Sequence, residues 1–292
     1  MRHLNPSQQN PLDFISEIVS SKKSDKEYLN MLVSKNDAEI AKYREAFDKD
    51  CFTDVPQGVP VAIKGVEQDC EAMASLYGFK KKEIARLFVE VLSPDGHFND
   101  ICPVCGALKC TTYDHYLPRS QYQLFAVHPL NLIPCCTECN KHKSTNFMTE
   151  SGSHKYWNAY LDSDVATQFL FCAITEENGM PKANFRIEQG NLDDDTFAVL
   201  YKTFHDLKLD QTYQSSAGTE IDELISSCCA YYKKNSNLGL ENCFEVIADT
   251  ISDKDANNWK NVLKKALITS PIFKRNVQNE LNRGYRTEGK IL

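Results

Sequence analysis

The sequence predicts an α+β chain, mainly helical, with a small metal-stabilised module near its centre. Three observations predict it. Apolar residues recur at helical spacing on both sides of residues 98–150. Inside that stretch, Cys102-Pro-Val-Cys105 returns as Cys136-Thr-Glu-Cys139, a pairing that can close one tetrahedral thiolate site. Short strand-like runs with turn signals lie at 168–174 and 183–188. The organisation expected is a helical N-terminal or docking region over 1–97, the module over 98–150, and a hairpin plus helical region over 151–292.

The elements follow in order. Residues 1–11, polar with two prolines, read as a flexible lead. Leu12, Ile15, Ile18 and Val19 make one helical face, and Leu29, Leu32, Ile40, Tyr43 and Phe47 make another, broken near Asn36-Asp37. Pro56, Gly58 and Pro60 mark a loop. Helices are expected over 64–77 and 80–92, the second ended by Ser93-Pro-Asp-Gly. After the module and the hairpin around Gly179, helices are expected over 195–212, 218–234, 240–251 and 255–268.

Composition bounds the setting. The chain has 292 residues and 42% apolar side chains, enough for a sizeable core. No apolar run approaches the ~18 residues of a membrane span, and the start lacks an apolar signal region. Twelve cysteines then favour a reducing, cytoplasmic setting with free thiols and a metal site. Net charge is −7, yet between Cys102 and Phe147 the balance is +2, leaving −9 elsewhere. The local sign suits phosphate, while the acidic remainder opposes unaided docking on nucleic acid.

Zn2+ takes four ligands, and Cys102, Cys105, Cys136 and Cys139 supply them. Cys135 can replace its neighbour, although only Cys136 makes CxxC with Cys139. Cys110 reads as a packed thiol.

Between the knuckles run Tyr113-Asp-His-Tyr-Leu-Pro-Arg-Ser120 and Asn131-Leu-Ile-Pro, and Cys139-Asn-Lys-His-Lys143 opens a helix. In this order the residues resemble the HNH endonuclease family, in its branch with four zinc-binding cysteines. The flanks faintly resemble stand-alone HNH proteins of prokaryotic defence systems, Septu-like ones among them. The resemblance implies a ββα-metal fold at the centre and a metal-dependent nuclease, with DNA as the expected substrate. His115 would be the general base, its pKa lying near working pH. Asp114 and Asn140 would hold a hard cation, Mg2+ or Mn2+. Asn131 would orient the loop bearing His115. Family members with a third ligand carry a His one turn beyond the helix ligand; here that position is Ser144. Lys143, three residues after Asn140, and Arg119 are candidate phosphate contacts, with a solvated lysine as the alternative. His128 reads as structural and His142 as a surface residue.

The resemblance to defence nucleases implies an antiviral effector with a partner ATPase. The competing reading is a zinc-stabilised nucleic-acid or protein-binding module without catalysis. A binder has no need of Asp114, His115, Asn131 and Asn140 in that register.

Overall fold

In a computed structural model the protein is described over residues 1–78, 80–252 and 255–288, with side chains of the last helix described up to Arg283. The chain divides into two units, Met1–Asp164 and Val165–Leu292. The boundaries expected near 97 and 150 therefore shift. The N-terminal helices share one unit with the central motif, because their apolar faces form its floor.

In the first unit, α1 (Pro11–Ser20) starts where Asn10 Oδ1 accepts the Leu12 and Asp13 N–H groups and Pro11 presets the helical φ. It buries Phe14, Ile15, Ile18 and Val19. Each such burial stabilises by about 1.5–3 kcal/mol. A helix of ten residues gains far less from propensity, so packing holds it. Residues 1–10 are not a loose lead. The Leu4 N–H donates to the Ala159 carbonyl, the Arg2 N–H donates to the Pro103 carbonyl, and Leu4 is buried.

Helices α2 (Lys26–Lys35) and α3 (Asp37–Asp48) meet at Asn36, as the sequence predicts. Asn36 is buried, and its side chain donates to the Leu32 and Val61 carbonyls and accepts the Val61 N–H. The break thereby pins the loop that follows. Two further helices, α4 (Val66–Ala74) and α5 (Lys82–Leu92), match the expected pair. β1 (Thr112–His115) then pairs antiparallel with β2 (Leu132–Cys135), placing Asp114 opposite Ile133 and His115 opposite Leu132. The helix α6 (Thr137–Lys143) closes the motif. Tyr43 from α3 is fully buried beneath it, with ring centroids 4.6 Å from His128 and 5.1 Å from Phe125.

In the second unit, β3 (Leu170–Glu177) and β4 (Met180–Ile187) form the expected hairpin. Its two-residue turn, Asn178-Gly179, takes φ of 52° and 79°, the left-handed pair that Asn-Gly adopts readily. Helix α7 (Asp194–Asp206) stops short of the expected 212, and Lys208, with φ of 53°, directly precedes the next helix. Helix α8 (Leu209–Lys234) then runs without a break through Gly218. The expected interruption between 212 and 218 is absent. Tyr213, Ala217, Ile221 and Ile225 bury one continuous stripe, and that packing outweighs the ~1 kcal/mol cost of a helical glycine. After α9 (Glu241–Asp249) and α10 (Trp259–Thr269) comes α11 (Pro271–Glu288), which the sequence reading did not predict. Its signals were a serine and a proline in succession, Ser270-Pro271, and the buried stripe Phe273, Val277 and Leu281.

Among the described residues, no helix is long and apolar enough to cross a membrane.

Candidate functional site

The two CxxC segments fold as matching turns. After Cys105, Gly106 takes φ of 64° and its N–H donates to the Cys102 carbonyl at 2.8 Å. The second turn is also the start of α6, where the Cys139 N–H donates to Cys136 Sγ at 3.4 Å. The four sulfurs of Cys102, Cys105, Cys136 and Cys139 are buried and lie within 4.8 Å of one another. Sulfurs around a tetrahedral zinc at ~2.3 Å stand about 3.8 Å apart, and Cys105 and Cys136 are 3.9 Å apart. Neighbouring sulfurs pull Cys102 towards thiolate and push Cys105 and Cys139 up. Four thiolates this close need a cation among them, so the donor set fits structural zinc. The alternative ligand Cys135 lies outside the four-sulfur cluster.

The second constellation straddles the edge of β1. His115 points towards the loop between the strands, where its Nε2 lies 3.0 Å from the Ala126 carbonyl. A carbonyl only accepts, so Nε2 carries the proton and Nδ1 keeps the lone pair. Burial and the nearby Arg119 charge lower the His115 pKa to about 4, so the imidazole is neutral at pH 7. The Tyr77 ring meets it edge-on at 4.3 Å.

Asp114 points the other way, towards α6. It is buried, and burial pushes its pKa up while Lys143 pulls it back. Lys143 Nζ lies 3.0 Å from Asp114 Oδ1. The expectation that Lys143 meets phosphate needs correction. The lysine shares the Asn140 side of the helix, but that side faces the sheet rather than solvent, and Lys143 is buried. Asn140 Nδ2 donates to the Tyr113 carbonyl at 3.2 Å, leaving its Oδ1 as an acceptor. Helix α6 stops at Lys143, and Ser144 has a φ of 53°. A ligand one turn beyond Asn140 would therefore sit outside the helix.

Asn131 is fully buried. Its Oδ1 accepts the Leu117 N–H at 2.6 Å, and its Nδ2 donates to the carbonyls of Leu117 and Phe125. It thus clamps the chain after β1 to the turn that carries Ala126. His128 is buried, and its Nδ1 accepts the Leu130 N–H.

Asp114, His115 and Asn140 open together into one cleft of about 970 Å³, which Tyr77 and Arg119 also line. Arg119 is exposed, its guanidinium 5.3 Å from the Tyr77 ring centroid. The far wall is α4, which contributes Glu67, Cys70 and Glu71. Tyr77 and this wall escaped the sequence reading. They lie far from the motif along the chain, and no spacing links them to it.

No protein-family model matches the chain, and no solved structure matches it. It is 25% identical over 190 residues to protein ea31 of Escherichia phage lambda. That similarity covers 60% of this chain and 64% of the phage protein, so the chain spans less than two thirds of the relative it matches.

Proposed function

We propose that the chain is a metal-dependent endonuclease that hydrolyses phosphodiester bonds of nucleic acid, with DNA as the first candidate. The observation that carries this reading is the placement of a neutral His115, its Nδ1 unprotonated, in one cleft with Asp114 and Asn140. Those two side chains form an open, oxygen-only donor pair, which suits Mg2+ or Mn2+ rather than a soft metal. When bound, such an ion supplies charge stabilisation to the phosphate and the departing oxygen.

The chain's own groups do the rest. His115 Nδ1 takes a proton from water as its oxygen attacks phosphorus, and the phosphorus–oxygen ester bond breaks, its electron pair leaving with the departing oxygen, which takes a proton from solvent. The Ala126 carbonyl holds the imidazole in the tautomer this requires, and Asn131 holds the Ala126 turn. Arg119 places a positive charge at the rim for a phosphate. The Glu67 and Glu71 wall and the net charge of −7 work against unaided binding of nucleic acid. They support an effector that works with a protein partner, an ATPase among the candidates.

The deciding experiment incubates the zinc-loaded protein and His115→Ala with plasmid DNA and Mn2+, alone and with proteins co-purified from the host. Cleavage by the wild type and a loss of about 10²–10⁴-fold in the variant are expected. Equal cleavage by both would remove His115 from the chemistry.

A further inference from the structure

The Lys143 ammonium has three oxygens around it. Asp114 Oδ1 lies at 3.0 Å, the Tyr116 carbonyl at 3.1 Å and the His115 carbonyl at 3.4 Å. Its side chain is 7% exposed and that of Asp114 is 10% exposed. An ammonium has three N–H donors, and the Asp114 and Tyr116 oxygens take two of them at hydrogen-bond distance, with the His115 carbonyl a longer contact. Lys143 does not line the cleft, whereas Asp114 and Asn140 do. Among the described residues, Asp114 Oδ2 accepts no hydrogen bond. The carboxylate is therefore neutralised from its protein side, and one oxygen remains for the cleft.

This arrangement has an electrostatic consequence. Asp114 is the one formal negative charge of the donor pair, because Asn140 is neutral. Lys143 already matches that charge. A divalent ion joining Asp114 would share a poorly solvated carboxylate with a cation of the same sign, and like charges at short range oppose each other. A phosphate oxygen arriving with the ion brings the missing negative charge.

Resting on the reading that Asp114 and Asn140 take a divalent ion, we propose that Lys143 is a resident counter-ion. It holds Asp114 in place in the metal-free protein and keeps affinity for the ion low until an anionic phosphodiester joins. Lys143 is thus a positioning residue acting through Asp114, and it ties metal retention to substrate. A lysine serving structure alone would leave metal affinity unchanged or lower it when removed.

The test measures Mn2+ binding to the zinc-loaded full chain by the electron paramagnetic resonance signal of free Mn2+, without nucleic acid. Lys143→Met should bind Mn2+ about tenfold more tightly than wild type, since a near like charge is gone. In the wild type, dimethyl phosphate as probe should tighten Mn2+ binding, and in Lys143→Met it should do so less. Equal or weaker Mn2+ binding by a folded Lys143→Met overturns the proposal. If that variant does not fold, the wild-type measurement decides, and no tightening by dimethyl phosphate overturns it. Asp114→Ala separates the two levels of the argument. If it binds Mn2+ as the wild type does, the metal role of the cleft has failed, and the role of Lys143 falls with it.

Discussion

Replacing Asn131 with alanine removes a clamp from a position with no solvent exposure. Asn131 Oδ1 accepts the Leu117 N–H at 2.6 Å, and Nδ2 donates to the Leu117 carbonyl at 3.2 Å and the Phe125 carbonyl at 3.0 Å. The Phe125 carbonyl keeps a second partner, the His128 N–H at 3.1 Å. The Leu117 N–H and carbonyl lose theirs. The Tyr43 hydroxyl, at 3.4 Å from Oδ1, is too long a contact to add much. A buried main-chain group without a partner costs about 1–3 kcal/mol, so two cost about 2–6 kcal/mol. That is a large share of the roughly 5–15 kcal/mol by which most domains are stable. Urea denaturation of the zinc-loaded wild type and Asn131→Ala measures it. The fraction that stays folded should also cleave poorly, because the Ala126 turn that orients His115 is released. A stability loss under ~1 kcal/mol would refute the reasoning, since it would mean that water or a rearranged loop satisfies Leu117 equally well.

Further outcomes are expected. Elemental analysis should find about one zinc per chain, retained through a mild EDTA wash, and Cys139→Ser should lose both zinc and cooperative unfolding. Retention of zinc by that variant would shift the fourth ligand elsewhere, with Cys135 the nearest candidate. His154 gives a pH signature. Its Nδ1 lies 2.6 Å from Asp50 Oδ2 and its Nε2 lies 3.0 Å from Asp162 Oδ1. Burial opposes its charge, but the hydrogen bonds to Asp162 and Asp50 prevail and raise its pKa to about 9. A pKa raised on folding gives stability that is complete below the unfolded value near ~6.5 and is lost as pH rises through the folded value. The melting temperature of His154→Leu should therefore trail the wild type most at about pH 6 and approach it at about pH 10. A gap independent of pH would mean that the two carboxylates do not hold a charged imidazole.

The chain itself determined where helices and the hairpin form, because those signals are local. A cap, an apolar stripe or an Asn-Gly turn acts within a few residues. That is why the apolar face of α1, the Asn36 break and a hairpin around Gly179 are legible, although the turn itself is Asn178-Gly179. The cysteine spacing likewise named the four sulfurs that come together. Local reading failed where packing overruled it. Separate helices are expected over 195–212 and 218–234, and burial of one long stripe carries α8 from Leu209 to Lys234 without a gap. Residues 1–11 read as a flexible lead, and long-range main-chain hydrogen bonds anchor Arg2 and Leu4.

The environment of the candidate site was decided by tertiary structure alone. Helical periodicity put Lys143 on the Asn140 side of α6, but it could not say that this side faces Asp114 rather than solvent. The proton position on His115 depends on the Ala126 carbonyl, and its depressed pKa depends on burial and on Arg119. Tyr77 and the acidic face of α4 enter the cleft only because the helical region folds against the motif. Spacing along a chain fixes which groups can share a face. Desolvation and charge proximity depend on what the rest of the chain brings to that face, and they decide what those groups can do there.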